Sequence, residues 1–169
     1  MDNFTIINLQ TFTALIMIYL FFRWWVTPRI TNLSIYDVLL PLVFVHSLRY
    51  LGMMFMVDNQ MIYDDFPKDI GQTIGLWDFS VAILAMITSY TLKIKWKYAI
   101  PLVWVFNIYG FVDLMYAFPN TFGLEFYNYD IGGIWFLFVI VGPFMTFTHF
   151  YIFYRLFKNL KKQKTTNHG

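Results

Sequence analysis

The sequence predicts an all-α fold: a polytopic membrane helix bundle of five transmembrane helices, with the N-terminus outside and the C-terminus cytoplasmic. Three observations lead there. The 169 residues are 59% hydrophobic and only 13% charged, where a soluble domain averages about 45–50% apolar and about 25% charged. The apolar residues fall into five stretches, each with the ~20 residues a helix needs to cross about 30 Å of hydrocarbon. The connections between the stretches alternate in charge.

Span 1 runs from about Phe4 to Phe22 and ends at Arg23, Trp24 and Trp25, which suit an interface anchor. Met1-Asp2-Asn3 gives no basic leader and no small-residue cleavage site follows, so this reads as a retained span. Span 2 runs from about Ile35 to Val57, with Ser34 as its N-cap. Span 3 covers about Gly71 to Leu92, and span 4 about Tyr98 to Phe118. Span 5, about Ile131 to Phe157, is long enough to tilt or to bend at Pro143. Residues 1–157 thus form one bundle, and 158–169 a basic cytoplasmic tail.

Orientation follows from the loops. Arg23 and Arg29 lie in the first connection and Lys93, Lys95 and Lys97 in the third. The tail carries Arg155, Lys158, Lys161, Lys162 and Lys164. Asp58, Asp64, Asp65 and Asp69 mark the second connection, with one Lys68, and Glu125 and Asp130 mark the fourth. Short basic loops stay cytoplasmic, which places the chain as a multi-pass protein of the cell inner or plasma membrane. The basic residues sit where topology needs them, so nucleic acid is not an expected partner; the lipid bilayer is. The absence of cysteine excludes disulfides, thiolate nucleophiles and Cys-type zinc or iron–sulfur sites. No metal site is expected, since no H-x-x-x-H or E-x-x-H spacing occurs.

Function is expected where charge lies at membrane depth. His46, Arg49, Asp78, Asp113 and His149 sit inside apolar spans, and a charge there costs roughly 2.5–3.5 kcal/mol on insertion scales. Counting along the spans at ~1.5 Å per residue puts Arg49, Asp78 and Asp113 in one layer of the outer half, with His46 and Asn107 central. One guanidinium can fork to two carboxylates. Such a layer carries one net negative charge, so a proton on an Asp, or a protonated His46 one turn away, would balance it. On span 4, Asn107, Gly110 and Asp113 lie near one face. On span 5, Gly142, Thr146, His149 and Phe153 share another, which aims Thr146 and His149 inward.

The stretches His46-Ser-Leu-Arg49-Tyr-Leu-Gly52, Gly75-Leu-Trp-Asp78 and Asn107-Ile-Tyr-Gly110-Phe-Val-Asp113 resemble a group of small bacterial multispanning proteins. That group carries an H-x-x-R-x-x-G, G-x-x-D and N-x-x-G-x-x-D pattern and a histidine in the last span. The resemblance covers spans 2 to 5 and implies the same polar positions, but no activity.

The expected function is to bind or transport a small ligand or cation, with proton exchange, at Arg49, Asp78, Asn107, Asp113, His46 and His149, in a polar pocket between spans 2, 3, 4 and 5 that opens toward the outer half. Three alternatives stand beside it. One is a membrane acid–base enzyme acting on a lipid-soluble substrate, with His46 and Asp113 as catalytic residues. A second is a b-type haem protein with His46 and His149 as axial ligands, although helical rise places those two about 7–9 Å apart along the normal. The third is a structural subunit in which the ion pairs only fix helix packing. Span 1, polar only near its outer end, is expected at the periphery or in a homo-oligomer contact.

Overall fold

The structure, a computed structural model, describes residues 1–57 and 67–166, with side chains as far as Lys161. The acidic residues Asp58, Asp64 and Asp65 lie outside the described residues, as do His168 and the side chains of Lys162 and Lys164. Among the described residues the chain is helical throughout, without strands. Five helices are long and apolar enough to cross a membrane: α1 Asn3–Arg29, α2 Ile35–Met56, α3 Lys68–Lys93, α4 Ala99–Gly123 and α5 Gly132–Lys161. They match the five expected spans. α1 continues past Trp25 to Arg29, and α4 runs beyond Pro119 to Gly123.

Local chemistry sets the helix ends. Asp2 caps α1: its Oδ1 accepts from the Thr5 N–H at 2.7 Å, which holds the carboxyl below its ordinary range. Ser34 caps α2 as expected, its Oγ accepting from Asp37 N–H at 3.3 Å. Two interior prolines each follow a π-helical turn, Pro28 after Phe22–Val26 and Pro143 after Leu137–Val141. Proline lacks an N–H and its ring presses on the carbonyl four residues back. The wider turn relieves this: Thr27 N–H donates to Phe22 O, and Gly142 N–H to Leu137 O, each five residues back.

The second half of α2 is unusual. After the α-helical Ile35–Phe44 it tightens into a 12-residue 3₁₀ helix, Val45–Met56. Such runs rarely exceed 3–4 residues. With three residues per turn, His46, Arg49 and Gly52 stack in a line, and all three are buried. That line lies along α3. The two backbones come close: a Cβ added to Gly75 would lie 3.2 Å from the Gly52 carbonyl oxygen.

The interior is polar between two apolar regions. Toward the basic end lie Val43, Val81, Ala85, Val103, Phe106 and Ile152. Toward the acidic end lie Ile7, Phe126, Ile131, Ile134 and Phe138. Fully buried His46, Asn107, Asp113, Thr148 and His149 fall in the middle. The bundle's exterior is apolar by contrast, with Phe12, Met17, Ile87, Val105, Ile108 and Phe136 all exposed. α1 leans on α5 and on the α4–α5 connection. Phe22 packs against Phe147 and Tyr151 (centroids 4.8 and 5.0 Å apart), and Gln10 accepts from Trp135 Nε1 at 2.7 Å.

Candidate functional site

Arg49 is the hub. It is 3% exposed, and all three of its nitrogens are engaged. Nε donates to Asp78 Oδ1 at 2.6 Å, Nη1 to the Gly110 carbonyl at 2.8 Å, and Nη2 to Asp113 Oδ2. α2, α3 and α4 are thereby tied through one guanidinium, and the three charges that counting placed at one depth do meet. Asp78 and Asp113 thus bind the same guanidinium through Nε and Nη2, two carboxylates around one cation. Two carboxylates so placed repel unless a proton lies between them.

The glycines are there for clearance. A Cβ on Gly52 would lie 2.0 Å from Asp78 Oδ2, and one on Gly110 would lie 2.8 Å from His149 Cε1. Each small residue of the H-x-x-R-x-x-G and N-x-x-G-x-x-D stretches therefore makes room for a polar side chain of a neighbouring helix.

One turn deeper, Asn107 and His149 pair reciprocally. The Asn107 Nδ2 donates to the His149 carbonyl at 3.2 Å, while His149 Nδ1 lies 2.7 Å from Asn107 Oδ1. The amide orientation makes Oδ1 the acceptor, so Nδ1 carries the proton and Nε2 holds the lone pair when the ring is neutral. His46 Nε2 lies 3.0 Å from Thr148 Oγ1, whose hydroxyl also reaches the Phe144 carbonyl at 2.9 Å. Three titratable atoms of this cluster are buried without a hydrogen-bond partner: Asp113 Oδ1, His46 Nδ1 and His149 Nε2.

The histidine spacing corrects an expectation. The His46 and His149 rings touch, with centroids 4.1 Å apart, rather than lying a turn or more apart. Phe106 packs against both, at 5.3 and 5.8 Å. A haem held by two axial histidines needs its porphyrin plane between them. Rings in contact leave no such gap, so these residues do not fit that group.

A cavity of about 60 Å³ adjoins the cluster on its acidic side. α2, α3, α4 and α5 all contribute to it, and the π turn of α5 forms part of one wall through Leu137, Phe138 and Val141. Arg49, Asp78 and Thr121 are its polar lining; the rest is apolar. His46, His149, Asn107 and Asp113 lie behind this wall rather than in it.

Thr148, the partner of His46, was not among the expected residues. The face expected on α5 ran through Gly142, Thr146, His149 and Phe153. The buried face instead runs through Met145, Thr148, His149 and Ile152, and the Thr146 hydroxyl has no partner. The two faces share His149; within the regular helix that starts at Gly142, Met145, Thr148, His149 and Ile152 fall at i, i+3, i+4 and i+7, the spacing of a buried stripe. Ser80 satisfies itself on the preceding turn, donating to Trp77 O at 2.7 Å. Trp104 packs against the Phe153 and Phe157 rings at 5.8 and 5.0 Å and takes no part in the cavity.

Fold and site together define a bundle of five membrane-length helices built around a buried arginine–carboxylate–histidine cluster. The chain belongs to the family described as domain of unknown function DUF8737, whose match covers residues 6–157 and so takes in all five helices up to the basic tail. No curated protein and no solved structure matches it.

Proposed function

We propose that this protein is a multi-pass component of the cell inner or plasma membrane that binds or transports a small ligand with exchange of a proton at the Asp78–Asp113 pair. The inside-out distribution of polarity supports insertion in a bilayer. The charge alternation of the connections supports an outside N-terminus and a cytoplasmic C-terminus. The resemblance to small bacterial multispanning proteins belongs to the same reading.

One observation carries the functional part. Arg49 lies between two carboxylates, Asp113 Oδ1 has no donor among the described residues, and a cavity opens beside Asp78. With neutral histidines this cluster sums to one negative charge. Uncompensated charge at such depth is expensive, so one proton or one cation belongs to it. The acid–base enzyme reading has less support, because His46 and Asp113 do not line the cavity and could act on a substrate there only through Asp78 and Arg49. α1, whose long exposed face meets little besides α5, is the surface we assign to self-association.

The test is infrared spectroscopy of the purified protein in lipid nanodiscs. The expected result is a protonated-carboxyl C=O band that shifts in deuterated buffer and disappears in Asp113→Asn or Asp78→Asn. The absence of such a band at every pH at which the protein stays folded refutes proton exchange at this pair. Neutralising Arg49, Asp78 and Asp113 together tests the structural-subunit reading, which requires that triple change to be harmless and any single one damaging.

A further inference from the structure

Granting that proton-exchange reading, the cavity's own chemistry narrows the ligand class. An anion could not replace the proton that balances two carboxylates against one guanidinium. A hard metal cation needs several oxygens, 6–8 for Ca²⁺, and the lining supplies one carboxylate and one hydroxyl. The remaining lining is Leu, Ile, Val, Phe, Met, Ala and Gly, which suits an apolar body. Phe55, Phe118 and Phe138 are among these, and aromatic faces attract ammonium groups.

Only one carboxylate of the pair is within a ligand's reach. The Asp113 side chain is fully buried, whereas that of Asp78 is 17% exposed. Arg49 already donates through all three nitrogens. The cavity measures about 60 Å³ on a scale where one water needs roughly 10–15 Å³. That is less than half of the ~150 Å³ at which an apolar cavity takes benzene, so the ligand is smaller than an aromatic ring, a body of a few carbons. Toward the basic end the interior is apolar, with Val43, Ala85, Phe106 and Ile152 buried there.

We infer that the cavity between α2, α3, α4 and α5 takes a small apolar amine in its ammonium form, bound by Asp78 in exchange for the proton that Asp78 and Asp113 share. The charges balance. Before binding, Arg49, two carboxylates and the shared proton sum to zero. Afterwards the ammonium stands where the proton was, one proton has left, and the sum is again zero. Arg49, from α2, is the charged group in contact with both Asp78 of α3 and Asp113 of α4; His46 and His149 bind Thr148 and Asn107 instead.

Isothermal titration of the full chain in nanodiscs, using propylamine, propanol and propionate, tests this. Propylamine should bind, with an affinity that rises with pH by up to about tenfold per unit while the pair still holds its proton. Propanol should bind about tenfold more weakly or worse, and propionate not at all. Ala117→Phe, which fills the cavity from α4, should weaken propylamine at least about tenfold. Propionate or propanol binding as tightly as propylamine overturns the ammonium assignment. Unchanged propylamine affinity in Ala117→Phe overturns the location. If no probe binds while the exchangeable carboxyl band persists, the amine inference fails and proton exchange stands; loss of both removes the underlying reading as well.

Discussion

Gly52→Ala probes how tightly α2 is fitted to the ion cluster. The added Cβ would lie 2.0 Å from Asp78 Oδ2, 2.6 Å from its Cγ and 2.7 Å from its Cβ. Reaching ordinary contact at 3.4 Å requires the carboxylate oxygen to retreat by about 1.4 Å. Rotation of the side chain alone is insufficient, because the Asp78 Cβ is also too close. Retreat breaks the 2.6 Å bond to Arg49 Nε. Arg49 keeps Asp113 and Gly110, so the loss is below the 3–5 kcal/mol of a wholly orphaned buried charge. Adding overpacking at about 1–3 kcal/mol, the expected destabilisation is about 3 kcal/mol. Unfolding by titration with a denaturing detergent measures it. The decisive comparison is a double-mutant cycle. Asp78→Gly clears the space, Cβ included, and leaves Arg49 with Asp113 as a neutral pair, at a cost of about 3 kcal/mol, of which about 1 is the helix penalty of glycine. Gly52→Ala in that background should then cost almost nothing, giving a coupling of about 3 kcal/mol. Costs that add to within about 0.5 kcal/mol would refute the packing argument.

Gly110→Ala should destabilise by about 1–3 kcal/mol, because its Cβ meets His149 at 2.8 Å and Val81 at 3.1 Å. Gly123→Ala, with nothing within 4 Å, is the control and should be neutral or slightly stabilising in the same assay. Because the chain has no cysteine, single cysteines at Lys95 and Glu125 report sidedness cleanly. In intact cells a membrane-impermeant thiol reagent should label Glu125→Cys and spare Lys95→Cys, and the reverse pattern would invert the topology. The Asp2 cap has a pH signature. Its folded value lies below the ordinary 3.8, so its contribution is present above that value and is lost as pH falls through the folded one. Amide exchange in the first turn of α1 should quicken only in that acidic range.

The sequence made the depth of the charged layer legible, because a helix crossing at constant rise turns residue number into height. Arg49, Asp78 and Asp113 were found that way, and Gly52 and Gly110 stood in the motifs that carry them. Rotation and local pitch were not legible. The 3₁₀ winding of Val45–Met56 changes both rise and phase after Phe44, and the π turn at Leu137–Val141 offsets α5. Nor does residue counting show that the His46 and His149 rings meet or that Thr148 lies beside His46. A pocket between spans 2, 3, 4 and 5 was legible from their buried polar residues, but not its lining, which is mostly ordinary apolar side chains rather than polar ones.

The tight winding of α2 also has a mechanical meaning. Twelve residues wound at about 2.0 Å each are roughly 6 Å longer than the same residues wound as an α-helix. Relaxing to that form would swing each successive third residue about 60° out of line, carrying Arg49 away from both carboxylates and Gly52 away from Asp78. The stretch is thus a wound spring whose latch is the ion cluster: neutralising the latch favours unwinding, and unwinding opens the latch.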